Sequence, residues 1–126
     1  MKIQSSLRIL LTIVALTASQ RAVAKTTTVH STADNGPGSL RQTIVQASNG
    51  DKINIDAKDT ITLTSGELLV NKNLTITGPG PKGIISGNGT SRVFHITPGT
   101  AVTLDGLTIV NGRASQDLNA FPANAG

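Results

Sequence analysis

The sequence predicts an all-β fold, a parallel β-helix built from short strands. Four segments alternate a branched apolar residue with a polar one, mostly threonine: residues 61–64, 74–77, 102–104 and 107–109. This alternation has period two, so each strand presents one apolar and one hydroxyl-rich face. The copies end at glycine, asparagine or Pro-Gly and recur every 20 to 30 residues or so, which is typical of a solenoid. A β-sandwich is the alternative fold, although sandwiches usually contain hairpins of longer strands.

Residues 1–24 have the three parts of a secretory signal peptide. Lys2 and Arg8 make the start basic, residues 9–18 form an apolar run, and small residues precede a cut after Ala24. A membrane anchor is the alternative, but a run of about ten residues is too short for a bilayer core of about 30 Å. We therefore expect a protein that is secreted or held at the cell surface, with no membrane span after cleavage.

Removal of the signal also removes most of the net positive charge. Three of the eleven basic residues (Lys2, Arg8 and Arg21) leave with it and all seven acids remain, so the mature net charge is near +1. The remaining charges are scattered, and the chain has no tyrosine or tryptophan for base stacking. Both features argue against a nucleic-acid partner. The lack of cysteine excludes disulfides, thiol catalysis and thiolate metal sites.

Residues 25–50 are predicted to form an N-terminal cap made of a strand, a loop and one short helix. Ser39 is the expected N-cap of a helix over residues 40–48, which Asn49-Gly50 would end in the left-handed conformation. The face predicted to pack on the first coil comprises Leu40, Ile44, Val45 and Ala47, and the opposite face comprises Arg41, Gln42 and Gln46. Such a cap would cover the apolar end of a solenoid.

Residues 51–112 are predicted to form the coils. Strict alternation over residues 51–56 marks the first strand, and Gly- and Asn-rich corners separate the later strands. The side chains expected to point inward are Ile53, Ile55, Ile61, Leu63, Leu68, Val70, Leu74, Ile76, Ile84 or Ile85, Phe94, Ile96, Val102, Leu104, Leu107 and Ile109. Residues 113–126 have no period and are predicted to be an irregular tail.

The sequence shows no catalytic, cofactor-binding or metal-binding constellation. Asp51, Asp56 and Asp59 are the only local group of acids, and they lack the spacing of a calcium loop. We interpret them as solvated turn residues. Asp105, which precedes a glycine, is interpreted as a corner residue.

The two histidines are also interpreted as surface residues. His30 and His95 are far apart in the sequence, and no cluster of acids accompanies either one. Because His95 alternates with Phe94 and Ile96, its side chain should point outward. Arg92 is interpreted as an exposed residue without a specific role.

Several phrases resemble the N-terminal region of bacterial exported β-helix proteins named for a Cys-Ser-Leu-Arg-Glu-Ala motif. They are residues 31–44, 49–51, 61–68, 74–80, 85–88, 91–94 and 106–109. The chain departs from that motif at Gly38, Gln42 and Thr43, where the family has Cys, Glu and Ala. The resemblance implies a right-handed, pectate-lyase-like β-helix in long surface proteins and brings no catalytic residue with it. Because such proteins usually continue with further coils, it also implies that this chain is a fragment.

The function expected from these observations is non-enzymatic adhesion or display at the bacterial cell envelope. Host or envelope glycans or proteins would be the partners, and the edge of the last strand, residues 107–110, could pair with a second copy. The alternative is the N-terminal part of a polysaccharide lyase or hydrolase whose active site lies in further coils.

Overall fold

The computed structural model describes residues 23–114, so the signal-peptide prediction for residues 1–22 and the tail prediction for residues 115–126 lie outside them. Within the described range the structure contains nine strands and one α-helix. They are β1 (Thr26–Val29), α1 (Leu40–Gln46), β2 (Asp51–Ile55), β3 (Ile61–Thr62), β4 (Leu68–Val70), β5 (Leu74–Thr77), β6 (Ile84–Ser86), β7 (Phe94–Ile96), β8 (Val102–Asp105) and β9 (Thr108–Val110). A turn of 3-10 helix spans Gly80–Lys82.

The strands form three small sheets, and every pairing between them is parallel. The first sheet has the order β1-β2-β5-β8, the second β3-β6-β9 and the third β4-β7. In the first sheet Ile53 lies beside Ile76, which lies beside Leu104, so apolar side chains stack on apolar side chains. The strand-rich class agrees with the prediction, whereas a sandwich would pair its strands antiparallel.

The core consists of the apolar residues that face inward from these strands and from α1. Its buried members are Val29, Leu40, Ile44, Ile53, Ile55, Ala57, Ile61, Leu63, Leu68, Val70, Leu74, Ile76, Ile85 and Val93. Of the two predicted alternatives, Ile85 is the buried one and Ile84 is only half-buried. Val93 is a core residue that the alternation did not identify.

The prediction that every apolar side chain of the alternating pattern lies in the core is wrong at the last strands. Ile96 and Ile109 are 39% and 47% exposed, and Phe94, Val102, Leu104 and Leu107 are only partly buried. Within the described residues β7 and β9 each pair on one side only. Ile96 of β7 stacks on Val70 and Ile109 of β9 stacks on Ile85, but no described strand lies on the other side of either residue.

Helix α1 begins as predicted and ends earlier than predicted. Ser39 is the N-cap, and its Oγ accepts a hydrogen bond from the backbone N–H of Gln42 (3.1 Å). Ala47, in an extended conformation, is the C-cap, so the predicted left-handed end at residues 49–50 is wrong. Lys72 Nζ donates to the carbonyls of Val45 (2.9 Å) and Ala47 (2.6 Å) and so satisfies the end of the helix.

The buried face of α1 is narrower than the apolar face that the sequence predicted. Leu40 and Ile44 are buried, but Val45 is 65% exposed. A helix of seven residues makes only two turns, so a single stripe of it can reach the core. Arg41, predicted on the exposed face, is held against the coils instead, as described below.

The corner at Gly106 requires glycine for two independent reasons. Its φ is +63°, a conformation that side chains disfavour, and a Cβ there would collide with the carbonyl oxygen of Gly78, which follows β5. The backbone N–H of Gly80 also donates to the carbonyl of Gly106 (2.8 Å). The two corners therefore stack in direct backbone contact.

Candidate functional site

Arg41 links helix α1 to the corner that precedes β4. Its Nη1 donates to the carbonyl of Glu67 (2.8 Å), and its Nη2 donates to the carbonyl of Gly66 (2.7 Å) and to Oδ1 of Asp34 (2.8 Å). The side chains of Arg41 and Asp34 are only 22% and 8% exposed. This ion pair is therefore largely withdrawn from water, although the helical pattern had placed Arg41 on the solvent face.

Asp34 is bound at its second oxygen as well. Oδ2 accepts hydrogen bonds from the backbone N–H of Ser65 (3.0 Å), the hydroxyl of Thr64 (3.2 Å) and the hydroxyl of Ser65. Burial raises the pKa of this carboxyl, but the hydrogen bonds and the charge of Arg41 outweigh burial and leave the pKa below its ordinary value. The loop before α1 is thus fastened to the corner at residues 64–67.

A second charged cluster joins the same corner to β7 and the residues just before it. Arg92 donates from Nε to Glu67 Oε2 (2.7 Å) and from Nη2 to Oε1 (3.3 Å). His95 Nδ1 lies 2.8 Å from the same Oε1. The hydrogen bond from Arg92 is the main cause of the lowered pKa of Glu67, which burial opposes and His95 reinforces.

His95 is on the outward side of β7, as expected, and a single acid rather than a cluster of acids accompanies it. Arg92, interpreted from the sequence as a residue without a specific role, pairs with that acid. An ionised Glu67 accepts a hydrogen bond from His95 when Nδ1 carries a proton. The side chains of all three residues are between 29% and 45% exposed, so the cluster lies at the surface.

The three acids near the start of the coils do not come together. Asp51 accepts hydrogen bonds from the backbone N–H groups of Lys25 (2.9 Å) and Ser48 (2.9 Å), which lower its pKa. Asp56 lies 3.4 Å from His30 Nδ1 and 3.5 Å from Lys58 Nζ. Among residues 23–114 no group of three or more His, Cys, Asp or Glu side chains is placed to hold a metal ion.

A small open cleft lies beside the charged clusters. It has a volume of about 180 Å³ and is lined by Arg41, Ile44, Val45, Glu67, Leu68 and Leu69. Ligand pockets usually measure about 300 to 1,000 Å³, so this cleft could hold a side chain rather than a sugar chain. Glu67, the carboxylate in its lining, is already held by Arg92.

An asparagine ladder is a further feature that sequence reasoning missed. Asn49 Oδ1 accepts from the backbone N–H of Asn73 (2.8 Å), and Asn73 Oδ1 accepts from the backbone N–H of Ala101 (2.9 Å). The repeats suggested a spacing of about two dozen residues, and the sequence could have been aligned with itself at that spacing. That alignment would have placed Asn73 above Asn49, and Arg92 near Glu67.

Comparison with family models, with curated proteins and with solved structures finds no match to this chain. Across residues 23–114, none of the helices has the length and apolar character needed to cross a membrane.

Proposed function

We propose that the three parallel sheets are the faces of a right-handed β-helix of the exported bacterial type that the motifs resemble. The order in which the chain visits the sheets supports a coiled path. After β1 the strands fall in the first, second and third sheets in turn, then again in the same order, and then in the first and second. Each return adds a parallel strand beside the previous one, as a coil would.

Within this fold we assign the chain a non-enzymatic role as an exported segment for adhesion or envelope display. The observation that carries the assignment is the outer face of the first sheet. In register it presents Thr26, Lys52, Thr75 and Thr103 in one row and Thr28, Asn54, Thr77 and Asp105 in the next. Short hydroxyl and amide groups on a regular ladder can hydrogen-bond to glycans or to protein backbone without a deep pocket.

The experiment uses the full chain expressed in a bacterium with its own N-terminus. Export of the chain would be measured by cell fractionation and mass spectrometry. Retention would be measured as the fraction of the exported chain that stays bound to isolated cell envelopes and to glycans of the envelope and host. We expect Thr28→Val with Thr103→Val to reduce retention. Thr60→Val with Thr90→Val, which changes two exposed threonines outside the strands, should have no effect. Equal retention of both double variants would contradict a role for the first sheet.

A polysaccharide lyase or hydrolase is the second candidate, and the Glu67–Arg92–His95 cluster is the observation that favours it. A histidine held by a carboxylate can act as a base, and a neighbouring arginine can bind an acidic sugar. Acidic polysaccharides incubated with the full chain would then be cleaved, and His95→Gln would abolish the cleavage. His30→Gln is the matched control because His30 also lies beside an acid. Intact polysaccharide in every incubation is the result that the non-enzymatic assignment predicts.

A further inference from the structure

Asp51 holds the first residue of the predicted mature chain by its backbone nitrogen. The N–H of Lys25 lies 2.9 Å from Asp51 Oδ1, and Oδ2 accepts from the N–H of Ser48 (2.9 Å). The carbonyl of Lys25 accepts from the N–H of Lys52 (2.8 Å), so Lys25 is fixed on both sides. Val23 and Ala24, just before it, are exposed and form no hydrogen bond with another described residue.

Cleavage between residues 24 and 25 would change what this carboxylate binds. Hydrolysis adds water across the peptide bond, so Ala24 leaves as a carboxylate and Lys25 gains an α-amino group. That amine has a pKa of about 7.7 to 8.0 in the absence of a partner and is mostly protonated at neutral pH. A neutral single donor would become an ammonium group with three donors, beside a carboxylate already in hydrogen-bonding position.

We propose that Asp51 is the binding site for the α-ammonium group that processing after Ala24 creates, an inference that rests on the export proposed above. The ion pair would anchor β1 to the turn before β2 only when the chain starts at Lys25. A start at Val23 would leave a neutral N–H at Lys25 and place the charge two residues away, up to about 7 Å along the chain. The site therefore distinguishes the correctly processed chain from one cut elsewhere.

Other cations also lie near Asp51, since the side chains of Lys25 and Lys72 act on the same carboxyl. Pairing with Asp51 would raise the pKa of the α-amino group in the folded state. The stability it adds would then be present below about pH 8 and would be lost as the pH rises through the raised value.

The test compares chains that end at Gly126 and start at either Lys25 or Val23, prepared by cleavage of a fusion protein in vitro. At pH 7 we expect the equilibrium constant for urea unfolding to be roughly two- to fivefold smaller for the Lys25 start. Asp51→Asn should remove this difference and Asp56→Asn should preserve it. The difference should also fade at high pH. Equal stability of the two starts, or a difference that survives Asp51→Asn, would overturn the proposal.

Mass spectrometry of the exported full chain provides a separate outcome. A mature N-terminus at Lys25 supports both export and the role of Asp51. A cut at another bond overturns the Asp51 proposal and leaves export standing. An uncut chain retained inside the cell contradicts the export proposal, whereas the comparison of defined starts still decides whether Asp51 binds an α-ammonium group.

Discussion

Replacement of Arg41 by methionine removes the cation that links helix α1 to the corner before β4 while keeping most of the apolar stem. The change deletes four hydrogen bonds, among them one from Nε to the carbonyl of Asp34 (3.3 Å), and leaves the carboxylate of Asp34, which is 8% exposed, without its counter-ion. Loss of one partner of a fully buried pair costs about 3–5 kcal/mol. Arg41 is 22% exposed, and Asp34 keeps its bonds to Thr64 and Ser65. We therefore expect the free energy of unfolding to fall by about 2–4 kcal/mol.

The assay is urea unfolding followed by circular dichroism, with Arg92→Met as the matched control. Arg92 also pairs with a carboxylate, but it is 45% exposed, so its loss should cost less than about 1 kcal/mol. The lowered pKa of Asp34 means that its contribution is present above the ordinary carboxyl pKa of 3.8 and is lost as the pH falls through the folded-state value. The gap between the parent and Arg41→Met should therefore narrow below about pH 4. Equal losses for the two arginine variants would refute this reasoning.

Three further predictions concern the cap, a corner and the last strand. Ile44→Asp should lower the stability of the fold by several kcal/mol, since it buries a charge, whereas Val45→Asp at an exposed position should lower it little. Thermal melts would measure both changes, and overlaid melts for the parent and Ile44→Asp would contradict the role of α1 as a cap. Gly106→Ala should destabilise by about 2 kcal/mol more than Gly99→Ala, because only the first adds a backbone collision to a positive φ; equal urea midpoints would contradict the stacked corners. Ile109→Lys should weaken concentration-dependent self-association in sedimentation, and Val45→Lys should not; a parent that stays monomeric at every concentration would contradict this.

The sequence predicted the repeated, local features of the fold. Alternation identified the inward residues of β2 to β5 because each strand obeys period two, and Ser39 was identified as an N-cap from its position before an apolar stripe. The end of α1 was missed because Lys72, which satisfies its carbonyls, lies 25 to 27 residues further along the chain. Ile96 and Ile109 follow the pattern of core residues, but alternation cannot indicate whether another layer covers them.

The charged clusters were missed for a different reason. Asp34 reaches residues 30 and 31 positions away, and Glu67 reaches residues 25 and 28 positions away. Such contacts depend on which strands pair and in which register, and not on local composition. No single residue of the Glu67–Arg92–His95 cluster is unusual in its own segment.

Cysteine cross-linking tests the stacking of successive coils most directly, because the chain has no cysteine of its own. Thr75 lies beside Thr103 in the first sheet and Leu69 lies beside His95 in the third. Parallel neighbours at about 4.8 Å are within the range that a disulfide spans, whereas positions two residues out of register are about 8 Å apart. We predict that both in-register cysteine pairs oxidise within one chain and that Thr75 paired with Asp105 does not. Equal bridging of the off-register pair, or no bridging of the in-register pairs, would contradict the parallel coils.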